Sequence, residues 1–523
     1  MQEGNSLWAF MLENRSEILA KTTEHLWLTG ISVLLAIAVG VLIGLILTRR
    51  QSLASPVIGI ANMIQTIPSI ALLGFMIPLV GIGAIPAIIA LFLYALLPII
   101  RNTYTGILDV DPATKEAGRG LGMTDWQLLS KVELPLALPV IFAGIRTATV
   151  INVGVATLCS LIAAGGLGEF IFTGIALNNQ QLILTGAIPA AFLAIFLDVF
   201  LGLVQKNIAK WWKGLLWAVG LVLILGIGWQ VYESLQTRTF LAGLDREFFE
   251  RRDGWPGLVE TYDLQMDAVQ MDAGLMYLAL KNDKVDVIGG YATDGRIAAY
   301  NLRVLQDDQN FFPPYFVAPL MRKETLQEYP QLGAAIDLLA GKVSDAEMRR
   351  LNYLVDQEKQ SPEQVARDYL ASLGLEILGA REEGEADIVI GGKNFTEQFI
   401  LAEMYAQVIE SYTDLKVETK TGLGGTSICF DALQNGDIDL YPEYTGTAFL
   451  VLLSPPEDLV NTIIKDREAV YRYVQEQVGE QFNLQLMGSL EVNNAYAIMM
   501  REEVAAELGI RTITDLATYL RSQ

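Results

Sequence analysis

Few residues in this 523-residue chain are equipped for chemistry, and their scarcity excludes several classes of function. The single histidine, His25, rules out histidine-dependent triads and His-rich metal sites. Cys159 and Cys429 lie in different halves, so they support neither a disulfide framework nor a metal cluster, and packing is their ordinary use. No G-x-x-x-x-G-K-[ST] phosphate loop occurs, so the chain does not itself hydrolyse ATP by that route. What remains is polarity in expensive places. Arg146 and Asp198 fall inside long apolar runs, each ~9–10 Å from the same boundary at ~1.5 Å per residue. An ion pair between them would lower the cost each bears alone, and separate snorkelling is the other solution. Asn62, Gln65 and Thr66, beside Pro68, have the types to line a polar path, although interhelical hydrogen bonds are the simpler use.

Between the apolar runs lies a polar stretch, 111–139, DPATKEAGRGLGMTDWQLLSKVELPLALP. Asp111-Pro112 followed by helix formers signals a helix start, and Thr124-Asp125 signals a second. Pro135 and Pro139 are expected to end that second helix before the apolar residues resume. Glycines at 118, 120 and 122 keep side chains clear of whatever approaches. A helical, polar loop of this kind suits a soluble partner's grip, and composition alone fits an ordinary solvated loop as well.

The elements around these residues fall into two unlike halves. Residues 1–235 carry 12 of the 37 Lys and Arg and 12 of the 59 Asp and Glu, so the net charge of −22 belongs wholly to 236–523. An acidic second half argues against nucleic acid, which needs clustered Lys and Arg. In the first half, 7–24 reads as an interfacial amphipathic helix, with no cleavable signal pattern. Six runs follow, about 26–48, 57–79, 82–100, 140–164, 182–204 and 214–232, each long enough for ~30 Å of hydrocarbon. Arg49 and Arg50, then Arg101, Lys115, Arg119 and Lys131, then Lys206, Lys210 and Lys213 occupy three loops that share one side. The positive-inside rule makes that side cytoplasmic, placing the N-terminus and 236–523 outside. Past 236, β-branched runs such as DIVIGG (387–392) and VDVIGG (285–290) alternate with helical stretches such as 397–412, predicting α/β lobes, with GAREEGEA (379–386) as a linker.

Two resemblances sharpen this. Glu116-Ala117, Gly122, Leu134 and Pro135 match the EAA loop of binding-protein-dependent ABC importer permeases, which implies that 111–139 docks into an ATPase subunit. Gly118 departs mildly from the alanine or small residue of that pattern, and AAGGLGEF (163–170) is similar to the same family. The second half resembles the extracytoplasmic binding proteins for glycine betaine, choline and related quaternary amines. The matching stretches are GGKNFTEQ (391–398), LGGT (423–426), DIDLYPEYTGT (437–447), NNAYAI (493–498), FFERRDGWPGL (248–258), MDAGLMY (271–277), YATDGRI (291–297) and DDQNFFPPY (307–315). In that family the KNFTEQ segment comes first and FFPPY late, whereas here the order is reversed. A circular permutation explains this, with 375–386 joining the family's old ends. Lobe A would comprise about 240–290 plus 493–523, and lobe B about 295–490. Two half-domains completed by other chains are the alternative.

The binding-protein resemblance also implies a site. A quaternary ammonium has no N–H to donate, so aromatic faces must select it, each worth ~0.5–1 kcal/mol exposed and ~2 or more when desolvated. The family's cage falls on Tyr444, Tyr496, Tyr291 and Tyr315, with Tyr496 and Tyr444 expected to face each other. Arg251 matches the arginine that holds a ligand carboxylate, with Arg252 leaving the register open, and Lys393 and Thr447 are further carry-overs. Asp294-Gly295-Arg296 is expected to form a hinge turn.

The fold expected is therefore an all-α six-span permease (1–235, ATPase coupling through Glu116, Ala117 and Gly122) followed by a two-lobed, permuted α/β binding domain (236–523). The function implied is import of a betaine-type solute such as glycine betaine, choline or carnitine, or a larger betaine such as ergothioneine. ATP and magnesium would be used by a separate ATPase chain, two permease chains would pair, and no metal or cofactor would sit in this one. A membrane-anchored ligand sensor is the rival from another class, and an enzyme lacks acid–base candidates.

Overall fold

A computed structural model describes residues 7–176, 179–206, 240–251, 253–377 and 386–523, which form two compact units, one of apolar helices and one of two mixed sheets. The helices of the first are α1 (Leu7–Glu13), α2 (Arg15–Arg49), α3 (Ala54–Thr66), α4 (Ser69–Val80), α5 (Ala84–Leu108), α6 (Pro112–Gly120), α7 (Asp125–Leu128), α8 (Leu134–Ala156), α9 (Gly168–Ala176) and α10 (Gln180–Lys206). Among the described residues four helical runs are long and apolar enough to cross a membrane: α2, α5, Asp125–Ile162 and α10. The expected sixth span, 214–232, lies outside the described residues. The stretch 7–24, expected as one helix, is instead α1 and, after Asn14, the first turns of α2.

The expected second span is broken. α3 and α4 meet at 97° around Ile67 and Pro68. Pro68 lacks an N–H and drives the preceding Ile67 into an extended conformation, with ψ 127°. Irregular backbone at membrane depth needs its polar groups satisfied by the protein. Here the Tyr94 hydroxyl donates to the Ile67 carbonyl, and Gln65 Nε2 donates to the Tyr94 carbonyl at 2.8 Å. Gln65 therefore makes the interhelical hydrogen bond that is its simpler use, and Thr66 Oγ1 donates back along α3 to the Met63 carbonyl.

α2 packs along α5, and α5 along α8. A Cβ on Gly44 would lie 2.6 Å from Thr103 Cβ, and one on Gly40 would lie 2.9 Å from Ile99 Cγ2. This small-xxx-small spacing lets the two backbones approach where lipid supplies no hydrophobic drive. The Arg146–Asp198 pair forms in bidentate geometry, Nη2 to Oδ2 at 2.6 Å, and ties α8 to α10.

The polar loop begins as expected. Asp111 accepts from the Ala113 amide at 3.1 Å ahead of Pro112, and Thr124 with Gln127 forms a reciprocal capping box at α7. The expected stop at Pro135 and Pro139 does not occur. α7 continues through a π-helical turn, Leu129–Glu133, into α8. That wider turn absorbs the interruption that Pro135, lacking an N–H, would otherwise cause. Gly118 is buried, and a Cβ there would lie 2.7 Å from Leu128 Cδ1, a packing reason for glycine where alanine was expected. Gly122 takes φ +77°, a left-handed turn that a side chain would strain. Arg49 Nη2 meets the buried Glu133 Oε2 at 2.6 Å, joining the end of α2 to the π turn.

In the second unit, β1 (Leu241–Leu244), β2 (Asp267–Gln270), β3 (Val287–Tyr291), β4 (Leu302–Val304) and β10 (Tyr496–Arg501) form one sheet, ordered β2-β1-β3-β10-β4. β5 (Val317–Arg322), β6 (Ile388–Gly391), β7 (Val417–Lys420), β8 (Leu440–Tyr444) and β9 (Leu484–Leu486) form the other, ordered β7-β6-β8-β5-β9. Each sheet takes strands from both sides of 375–386, of which 378–385 lie outside the described residues. The first lobe extends further than expected. β4 pairs antiparallel with β10, Val304 opposite Met499, so the boundary near 295 is corrected to a crossing after 304. The reason is the ladder itself, since residues 302–304 find their hydrogen-bond partners on β10.

Candidate ligand-binding cleft

Strand ends deliver the rings. Tyr291 is the last residue of β3 and Tyr496 the first of β10, and the two are direct cross-strand partners. Tyr444 ends β8 opposite Val317 of β5, two residues after Tyr315. The seven residues carried over from the sequence resemblance, Tyr291, Tyr315, Tyr444, Tyr496, Arg251, Lys393 and Thr447, all line one cavity between the two lobes of this unit. Arg252 lies outside the described residues.

The rings do not meet as expected. Tyr496 stacks on Tyr291 at 5.2 Å between centroids and meets Tyr315 edge-on at 5.8 Å. Tyr291 then stacks on Phe395 at 5.6 Å, and Phe395 on Tyr444 at 6.2 Å. Tyr444 is thus joined to Tyr496 through Tyr291 and Phe395 rather than by a direct face-to-face approach. Phe395 was missed as a site residue, although it stands inside the quoted KNFTEQ motif. Burial pushes all four tyrosine hydroxyls well above their ordinary range, so the rings are neutral at physiological pH.

Each cation brings its own partner. Arg251 grips Asp253 with Nε and Nη2, Nε to Oδ1 at 2.9 Å, and its guanidinium lies 5.7 Å from the Tyr496 centroid. Asp253 also accepts from the Tyr315 hydroxyl. Burial alone would raise the Asp253 carboxyl, but the Arg251 charge and the bonds from Arg251 and Tyr315 outweigh it and hold it below the usual range. Lys393 Nζ reaches Glu443 Oε1 at 2.6 Å and Thr426 Oγ1 at 3.0 Å, 5.0 Å from the Tyr444 centroid. Glu443 is fixed in turn by the Tyr441 hydroxyl and the Tyr444 amide, both at 2.7 Å. Two acids stand near the rings. Glu247 lines the cavity, its carboxyl pushed up by burial, and the buried Asp245 is pushed up to about 7 for the same reason.

Gly424, Gly425 and Thr426, from the quoted LGGT, open the helix Thr426–Asn435 toward the cavity, and Asn494 of NNAY lines it too. These residues lay inside motifs already singled out, so the signal was present without a role attached. The expected hinge turn is compact: Arg296 Nη2 pairs with Asp294 Oδ2 at 2.6 Å. A Cβ on Gly295 would lie 2.5 Å from the Tyr353 amide. In the helical unit, Glu116, Ala117 and Gly122 are exposed, and beside them Leu121 and Trp126 are 80% and 73% exposed.

Comparison with known proteins agrees with both units. The family described as the substrate binding domain of the ABC-type glycine betaine transport system matches residues 232–372 and 386–522. The family described as the binding-protein-dependent transport system inner membrane component matches 36–214. The glycine betaine/carnitine/choline transport system permease protein OpuCB of Bacillus subtilis is 48% identical over 211 residues, 40% of this chain and 96% of that protein. The choline transport system permease protein OpuBB of the same organism is 49% identical over 38% of this chain and 92% of its own length. The osmoprotectant import permease protein OsmW of Salmonella typhimurium is 49% identical over 38% of this chain and 94% of its own. The chain therefore belongs to the ABC-type glycine betaine transport family, as a multi-pass inner-membrane component continued, in one polypeptide, by a substrate-binding domain.

Proposed function

We propose that this chain is the permease and substrate-binding subunit of an ATP-driven importer for a betaine-type quaternary ammonium solute. The observation that carries this is the convergence of Tyr291, Tyr315, Tyr444, Tyr496 and Phe395 on one buried cleft. Rings without ionised hydroxyls attract a methylated cation through their quadrupoles, and burial makes each contact worth ~2 kcal/mol. A carboxylate on the same solute would be taken by Arg251, Lys393 and Thr447. Lys393 has three N–H donors, of which Glu443 and Thr426 account for two. The test is calorimetry of the full chain in nanodiscs against glycine betaine, choline, carnitine and ergothioneine. Micromolar-range binding of at least one, on the order of −8 kcal/mol, is expected. Binding of an unmethylated amine or amino acid, with none of these four, would overturn the cage.

A separate ATPase would dock at 111–139, a reading supported by the exposure of Glu116, Ala117, Leu121 and Trp126 on and beside a capped pair of helices. ATP and magnesium would act there and not in this chain. Two copies would pair around the translocation path. Lys and Arg placement supports an N-terminus and binding domain outside the membrane. Circular permutation is supported by two family matches separated at 373–385 and by the contribution of both flanking segments to each sheet. A sensor would need no ATPase, so copurification of an ATPase with the chain separates the two readings.

A further inference from the structure

We infer that Glu397 is a positioning residue that registers the cage and latches the cleft shut. The inference rests on the cleft being the ligand site. Glu397 lies in the first turn of the helix Thr396–Tyr412, on the lobe of the second sheet, and is buried. Its carboxylate collects four donors: Thr293 Oγ1 at 2.5 Å, Asn352 Nδ2 at 3.3 Å, the Tyr444 hydroxyl at 2.8 Å and Asn494 Nδ2 at 3.0 Å.

The origins of these donors matter more than their number. Tyr444 is a cage ring. Thr293 is two residues beyond Tyr291, and Asn494 two residues before Tyr496. One carboxylate is therefore bonded to, or within two residues of, three of the four cage tyrosines. The bonds also cross between lobes. Thr293 follows β3 of the first sheet, while Glu397 and Tyr444 belong to the second. Asn352, on the helix Asp345–Asp356 packed against Thr396–Tyr412, also donates to the Thr293 carbonyl at 2.8 Å. Thr293 is thus held at both its oxygens by the opposite lobe, and an opening motion that swings Thr293 away from that lobe would break these bonds.

The Glu397 carboxyl accepts from two amides, Asn352 and Asn494, and two hydroxyls, Thr293 and Tyr444, whose bonds oppose the upward push of burial on it. An amide in its place turns an N–H toward at least one donor. Losing one bond of this buried network speeds opening on the order of tenfold or more.

The experiment uses the full chain in nanodiscs with radiolabelled glycine betaine and choline, measuring affinity, release rate and the melting temperature of the ligand-free chain. Thr293→Val removes only the interlobe hydroxyl. It is expected to release ligand on the order of tenfold faster, with association unchanged. Thr293→Ser should restore slow release. Glu397→Gln should weaken both ligands by at least about tenfold. The latch is overturned if Thr293→Val releases ligand at the wild-type rate, if Ser and Val accelerate release equally, or if Glu397→Gln binds normally. Failure of the wild-type chain to bind either probe overturns the site assignment itself, and the latch with it.

Discussion

Replacing Tyr496 by leucine separates the quadrupole of the ring from its bulk. Tyr496 is the most connected ring of the site, 5.2 Å from Tyr291, 5.8 Å from Tyr315 and 4.7 Å from Phe248, centroid to centroid. Leucine keeps an apolar side chain, shorter than the ring, and presents no negative face. A desolvated cation–ring contact is worth ~2 kcal/mol, so affinity for choline should fall about thirtyfold. Three aromatic pairs at ~0.5–1.5 kcal/mol each would also be lost, lowering the melting temperature. Tyr496→Phe keeps the ring and should bind choline within about threefold of wild type. The assay is calorimetry with choline beside 3,3-dimethylbutanol, its uncharged isostere. Wild type and Tyr496→Phe should prefer the cation, and Tyr496→Leu should lose most of that preference. If leucine weakens both ligands equally, the pocket selects by shape and the quadrupole argument fails.

Other perturbations test the supports of the site and of the helical unit. Asp245 is raised from an ordinary 3.8 to about 7 by burial, so the folded state holds a proton that the unfolded state releases between those values. Stability should therefore fall as pH rises from about 4 to 7, by up to ~4 kcal/mol, and level off above. Asp245→Asn, which can still cap Phe248, should flatten that slope in thermal melts across pH, and an unchanged slope would refute the assignment. Gly118→Ala places a methyl against Leu128, costing ~1–3 kcal/mol and lowering ATPase stimulation, and Leu128→Ala in the same chain should restore it. Arg49→Leu leaves the buried Glu133 unpaired and should reduce the yield of folded chain more than Arg49→Leu combined with Glu133→Gln does. Asp198→Asn and Arg146→Gln should impair assembly alike, since each leaves the other's charge alone in the bilayer. Intact assembly in the first and none in the second would mean that the pair does not matter.

Local chemistry was legible in the residues themselves. Asp111-Pro112 and Thr124-Asp125 mark helix starts because a cap needs only its neighbours, and both caps form where expected. Apolar run length announced most spans for the same reason, and the quoted motifs carried all seven expected site residues, each of which lines the cavity. Depth from a shared boundary was enough to suggest Arg146 beside Asp198. Through-space compensation was not legible. Pro68 was visible as a breaker, yet whether the chain breaks there depends on Tyr94 and Gln65 satisfying backbone on either side of a helix contact. Pro135 was equally visible, and a π turn let the helix pass it. Phe395 between Tyr291 and Tyr444, Asp253 on Arg251, Glu443 on Lys393, and β4 beside β10 are all matters of which distant atoms become neighbours. The quoted motifs determined which side chains this protein brings to the cleft. Only the pairing of strands from both sides of 375–386 decided that the rings close into a row, and that Arg251 and Lys393 beside them each meet a carboxylate.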